Sequence, residues 1–194
     1  MIPCVLAGNL VAMAPARAEL DEVTLARAQR GEAAACRALV ERYQRPVFAL
    51  LGRLLGRRAE VEDLAQETFL RVFRALERFD RGGSARLSSW ILTIAARLAL
   101  DTLARRQLDT APLTSETDVG APGDAERRAL GAAIARAIGA LAPEYRAAFL
   151  LREYHGMDYE EIAGALRIEV GTVRSRLSRA RAALREALAE VHHG

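Results

Sequence analysis

The stretch VGTVRSRLSRARAAL, residues 170–184, places arginine at almost every second or third position yet keeps an apolar residue wherever a helix would turn inward. Wound as a helix, Val173, Leu177, Ala180 and Leu184 recur at i, i+4, i+7 and i+11 and make one apolar stripe. The other face carries Thr172, Arg174, Ser175, Ser178, Arg179 and, beside them, Arg181. No acidic residue stands between Gly171 and Arg185, so the positive field is not neutralised along the helix. Guanidinium groups held this way donate to phosphate oxygens and, in pairs, to guanine edges. Upstream, MDYEEIAGALRIE supplies a short helix and a four-residue turn, with Asp158 and Glu161 at the spacing of a capping box. Short helix, tight turn and basic helix together fit a helix-turn-helix unit that seats its second helix in a DNA major groove.

A second constellation lies in VEDLAQETFLRVFRAL, residues 61–76. Val61, Ala65, Phe69, Val72, Phe73 and Leu76 are placed to pack inward, while Glu62, Asp63, Gln66, Glu67 and Arg74 form a stripe heavy in carboxylates. Acids clustered on one face repel one another unless something compensates, so the stripe reads as a docking face for a basic or amide-rich partner helix. Next comes RFDRGGSAR, where Gly82 and Gly83, free to take positive φ, sit between Arg81 and Arg86. Such a loop can close around an extruded base and its phosphates. The helix after it, LSSWILTIAARLALDTLARR, packs Trp90, Ile91, Ile94 and Leu98 along one side and leaves Arg97, Arg105 and Arg106 outside.

These features must be positioned by helices. The apolar period is close to 3.6 residues nearly everywhere, and no stretch alternates as a half-buried strand would. Helical patterns cover 20–30, 32–55, 59–78 and 87–106, fail over LDTAPLTSETDVGAPGDAE, and resume over 125–139, 143–154, 159–166 and 171–189. The interruption is rich in Pro, Gly, Thr, Ser and Asp and too poor in apolar residues to pack. The expected fold is therefore all-α: a disordered extension at 1–19, a helical domain at 20–107, a linker at 108–124 and a helix-turn-helix domain at 125–194.

Composition bounds the function. With 51% hydrophobic and 27% charged residues, 194 residues suffice for one or two globular domains. All 28 basic residues are Arg, a trait of the whole chain, so placement rather than number carries the inference. Cys4, Cys36 and the three histidines have no zinc spacing, and the chain contains no plausible nucleophile–base pair, phosphate loop or metal cluster, so neither a cofactor nor catalysis is expected. The opening MIPCVLAGNLVAMAPARA has an apolar run but no Lys or Arg ahead of it, unlike a secretory signal. No other apolar run approaches the roughly 20 residues of a membrane span, and a reduced, cytoplasmic location is expected.

Taken together, ERYQRPVFALLGRLLGRRAEVEDLAQETFLRVFRAL, SSWILTIAARLALDTLARR and LAPEYRAAFLLREYHGMDYEEIAGALRIEVGTVRSRLSRARAAL resemble, in order, the extracytoplasmic-function sigma factors of bacterial RNA polymerase. The resemblance implies a specificity subunit that binds core polymerase, promoter DNA as duplex and as melted strand, and an anti-sigma factor, without inserting into a membrane. It implies polymerase docking by Asp63, Gln66 and Glu67. It implies capture of an unpaired minus-ten base by the loop and helix carrying Arg81, Gly82, Gly83, Ser84, Arg86 and Arg97. The minus-thirty-five element would be read by Thr172, Arg174, Ser175, Ser178 and Arg179. Three positions depart from the family pattern: Arg97 replaces a usual Asn, Arg167 stands where many such turns place Gly, and Ser178 is smaller than the aromatic or His often found there. A free-standing helix-turn-helix repressor would not need the DLAQETF helix or the Gly-Gly loop, and a protein-binding adaptor would not need the arginine face.

Overall fold

A computed structural model describes residues 19–56, 58–83, 85–108 and 125–192 of the chain. Eight helices and no strand are found among them: α1 (Glu22–Gln29), α2 (Ala33–Leu55), α3 (Arg58–Leu76), α4 (Leu87–Leu108), α5 (Ala125–Ala140), α6 (Pro143–Glu153), α7 (Tyr159–Leu166) and α8 (Val170–His192). Residues 109–124, where a linker is expected, and 1–18 lie outside the described residues.

Helix boundaries follow from local chemistry. Asp21 accepts the Thr24 N–H at 2.9 Å and starts α1, while α2 ends at Gly56, whose φ of 75° opens a left-handed cap that a side chain would strain. Glu19 ties the start of the described chain to the bundle: it accepts from the Tyr43 hydroxyl at 2.9 Å and the Ser88 N–H at 3.1 Å, the latter at the exposed N-terminus of α4.

α1 to α4 form one bundle around α2, which buries Leu39, Val47, Leu50, Leu51 and Leu54 completely. Each such side chain contributes about 1.5–3 kcal/mol of burial. α5 to α8 form a second bundle around Leu150, Leu151, Met157, Ile162 and Leu177. α4 differs from the expectation that only the N-terminus holds a long apolar run. Leu87–Arg106 is long and apolar enough to cross a membrane, but it packs against α2 and α3 in the first bundle and against α6 and α7 of the second. Ile91, Leu92, Ala95, Ala96 and Ala99 are buried against α2 and α3.

The two bundles also pack on each other, α7 and α6 against α4, and α5 and α6 against α2. Arg146 of α6 is the clearest polar joint. Its guanidinium donates to the carbonyls of Leu54 and Leu141, each at 2.9 Å, and to that of Gly139, so one cation serves the C-terminal ends of α2 and α5. Nearby, the Arg53 guanidinium lies 4.5 Å over the Tyr154 ring.

His155 sits at this joint, half-buried, its Nε2 without a hydrogen-bond partner among the described residues. Burial, with the Arg53 charge adding to it, pushes its pKa down to about 4. Below its ordinary value near 6.5 the unfolded chain therefore takes up a proton that the folded chain refuses, so His155 makes stability fall as pH drops from 6.5 toward 4. Unfolding titrations at pH 7 and pH 4.5 are expected to show a smaller loss for His155→Asn than for the unaltered chain, by on the order of 2 kcal/mol. An equal loss in both would place the pH sensitivity elsewhere.

Candidate functional site

Along α8, Val173, Leu177, Ala180 and Leu184 are buried, as the apolar stripe requires. Arg174, Ser175, Ser178 and Arg179 are exposed on the far side and Thr172 is half-buried at the edge. Two of these groups already have bonds within the chain. The Ser175 hydroxyl donates to the Thr172 carbonyl at 2.9 Å, leaving its oxygen free to accept, and Arg179 donates to the Tyr145 hydroxyl at 3.0 Å. Arg181 corrects the sequence reading: acids are absent along the helix, but Glu153 at the end of α6 pairs with Arg181 at 2.6 Å. Arg181 is exposed like Arg174 and Arg179, but its charge is paired.

α7 presents α8 at a fixed angle. Asp158 accepts the Glu161 N–H at 2.7 Å and Glu161 accepts the Asp158 N–H at 2.8 Å, so the expected capping box is formed. α7 stops at Arg167, which adopts φ 54° and ψ 49°, and both Arg167 and Ile168 donate their N–H groups to the Ala163 carbonyl. The turn thus keeps the left-handed geometry that glycine would allow, with an arginine held in it.

On α3, Asp63 and Gln66 are exposed, and Glu67 is paired with Arg71 at 2.6 Å. The carboxylate stripe is therefore partly compensated within its own helix. Phe73, expected to pack inward, instead stands 36% exposed, and Leu70 is 43% exposed. Asp63, Gln66, Leu70 and Phe73 follow i, i+3, i+7 and i+10, so acid, amide and apolar groups share one face. Sequence reasoning placed Phe73 inward because helix periodicity assigns borderline positions to the core, and it assigned Leu70 to neither face. An apolar pair flanked by an acid and an amide was the available signal.

The loop before α4 is organised by Asp80 rather than by glycine dihedrals. The Asp80 carboxylate accepts the Gly82 N–H at 2.9 Å, and neither Gly82 nor Gly83 takes positive φ. A Cβ at 83 would stand 3.2 Å from the Asp80 carboxylate, close enough that the carboxylate would have to shift by a few tenths of an ångström. Arg81 is exposed in this loop, and Ser84 lies outside the described residues.

Arg86 and Arg97 were expected on an open surface, but the structure turns both onto α7. Arg86 donates to Glu161 from Nε at 3.0 Å and Nη2 at 2.7 Å, and to the Gly156 carbonyl at 3.1 Å. Ser89 adds its hydroxyl to Glu161 at 2.6 Å. Burial raises the Glu161 carboxyl, but the Arg86 and Ser89 hydrogen bonds outweigh it and hold the group below its ordinary value. Arg97 donates from Nε to the Ala165 carbonyl at 2.8 Å and from Nη2 to the Gly164 carbonyl at 2.6 Å. Burial and the neighbouring Arg167 charge lower the Arg97 pKa. Trp90 packs on Phe79 with ring centroids 5.0 Å apart, and its other side lines a cleft of about 470 Å³ with Arg97, Arg167 and Leu166.

Two family models match the chain, Sigma-70 region 2 over residues 39–108 and Sigma-70 region 4 over residues 131–184. The RNA polymerase sigma-H factor of Pseudomonas aeruginosa is 36% identical over 185 residues, covering 88% of this chain and 94% of that protein. The ECF RNA polymerase sigma factor SigE of Mycolicibacterium smegmatis is 36% identical over 159 residues, covering 78% of this chain; the chain spans only 61% of that protein. Among solved structures, CnrH in complex with the cytosolic domain of CnrY superposes with a TM-score of 0.63 at 27% identity, covering 87% of this chain and 96% of that one.

The left-handed Arg167 has a direct consequence for stability. Arg167→Gly is expected to raise the stability of the folded chain by about 0.5–1 kcal/mol, because glycine takes this conformation without a Cβ penalty. Chemical denaturation checks this, and a loss of stability would mean that the arginine side chain contributes more than its backbone costs.

Proposed function

The chain belongs to the extracytoplasmic-function sigma factors of bacterial RNA polymerase, and we propose that it divides promoter recognition between its two bundles. As a sigma factor it binds core polymerase and directs promoter recognition, DNA melting and transcription initiation. α8 takes the minus-thirty-five element as duplex: Thr172, Arg174, Ser175, Ser178 and Arg179 face the major groove, phosphate contacts fix the register and base edges specify it. α4 and the loop before it, with Arg81, Gly82, Gly83, Ser84, Arg86 and Arg97, take the minus-ten element as single strand. Extruding one base costs a few kcal/mol of stacking, which loop and polymerase together offset. Asp63, Gln66 and Glu67, extended by Leu70 and Phe73, dock the polymerase. Nucleotide addition belongs to the polymerase, so the chain acts as an initiation factor in the cytoplasm, with an anti-sigma factor as its inhibitory partner.

The observation that carries this reading is the coexistence, on one chain, of an outward arginine face on α8 and an acidic–apolar face on α3, each backed by a buried apolar stripe. A repressor would have use for the first alone.

Gln66→Ala combined with Glu67→Ala is expected to weaken binding to core polymerase about tenfold or more while leaving binding of the full chain to a promoter duplex unchanged. Arg174→Ala and Arg179→Ala are expected to do the reverse, lowering duplex affinity and flattening its salt dependence by about one unit of slope per lost phosphate contact. Titrations of the same preparations against both ligands check the division. Equal losses in both assays would contradict it.

A further inference from the structure

We propose that the cleft between α3, α4 and α7 binds a nucleoside di- or triphosphate, its base on Trp90 and its phosphates on Arg97 and Arg167. The minus-ten reading uses only Arg97 of these groups, so either site can fail without the other.

The cleft, of about 470 Å³, lies within the roughly 300–1,000 Å³ of small-molecule sites and is far larger than a bare phosphate fills. α4 supplies its long wall. Trp90, Ile94, Arg97 and Asp101 follow i, i+4, i+7 and i+11 and so share one face of that helix. One side of Trp90 is taken by Phe79, and the other lines the cleft, where a base can stack on the indole. Seven residues of helix separate Trp90 from Arg97, about 10 Å, which is the reach from a base to the terminal phosphates of a nucleotide.

The far end of the cleft is cationic. Arg71, Arg97 and Arg167 line it against one acid, Asp101, and Arg71 is already paired with Glu67. Arg97 is set in place: its Nε and Nη2 are held by the Ala165 and Gly164 carbonyls, which leaves Nη1 without a partner among the described residues. In that position it also offsets the negative end of the α7 dipole, which would otherwise repel a phosphate. Arg167 has no hydrogen bond or ion pair among the described residues, and its charge stands close enough to Arg97 to lower the pKa of that group. Two neighbouring cations repel, and Arg167 also holds a left-handed φ of 54° that glycine would take without strain. Nothing among the described residues offsets either cost. Strain of this kind gathers at ligand sites, and a phosphate between the two guanidinium groups turns their repulsion into paired charge-assisted bonds.

Trp90 is the only tryptophan of the chain, so its fluorescence reports on this cleft. Titration of the full chain with ATP, without divalent metal, is expected to quench it saturably, with a Kd below about 1 mM. Arg97→Ala and Arg167→Gly should each weaken binding about tenfold. Arg167→Gly removes the cation while keeping the turn, so its loss is not one of folding. Arg136→Ala, which removes an exposed cation of α5, should bind ATP as the unaltered chain does. Absence of saturable quenching overturns the site, as does undiminished affinity in Arg167→Gly or an equal loss in Arg136→Ala. Inorganic triphosphate or adenosine that binds as tightly as ATP overturns the assignment of both ends of the cleft to one nucleotide. Quenching by a random 20-nucleotide single strand but not by ATP gives the cleft to the minus-ten strand and overturns the nucleotide site.

Discussion

The rest of the structure depends on α4 being apolar on nearly every side. A surface helix hides one stripe and leaves a polar face to water; a helix apolar all round must be covered from more than one direction. α2 and α3 cover Ile91, Leu92, Ala95, Ala96 and Ala99, and α6 and α7 close the other side beside Trp90, Ile94 and Leu100. The few polar groups on α4 must then be satisfied where α7 lies, which is why Arg97 finds backbone carbonyls and Ser89 finds a carboxylate.

The contacts within and between the bundles differ in kind. The apolar seams inside each bundle involve side chains with no exposure, such as Leu50, Leu51, Leu150 and Leu151, and they hold each bundle together. Between the bundles the polar joints are Arg86–Glu161, Arg97 on two carbonyls, Arg146 on the Leu54 carbonyl, and Arg53 over Tyr154, and they border an apolar core that continues from one bundle into the other. Exposed ion pairs of this sort respond to salt, whereas the apolar core beneath them does not.

Much of this was legible in the sequence. Helix periodicity and turn residues located all eight helices to within a few residues, and the spacing of Asp158 and Glu161 announced the capping box that sets α7. The stripe of Val173, Leu177, Ala180 and Leu184 fixed which face of α8 points outward. Long-range pairing was not legible. Nothing in the spacing of Arg86 or Arg97 states that their acceptors lie some seventy positions away on α7, and Glu153 could not be matched to Arg181 without the fold. Phe73 was misplaced for a related reason, since period alone assigns a borderline aromatic to the core when no opposing helix covers it. The Gly-Gly loop does not use the positive φ open to its glycines; its turn is held by the Asp80 carboxylate on the Gly82 N–H.

The central claim is that this chain confers promoter choice on a polymerase that lacks it. The most direct measurement adds the purified chain to core polymerase freed of other sigma factors and maps transcript starts on a genomic DNA library. The account predicts discrete starts that appear only when the chain is present, each preceded by two shared elements, one read as duplex and one melted. Polymerase that binds the chain yet gains no new start from it would contradict the account.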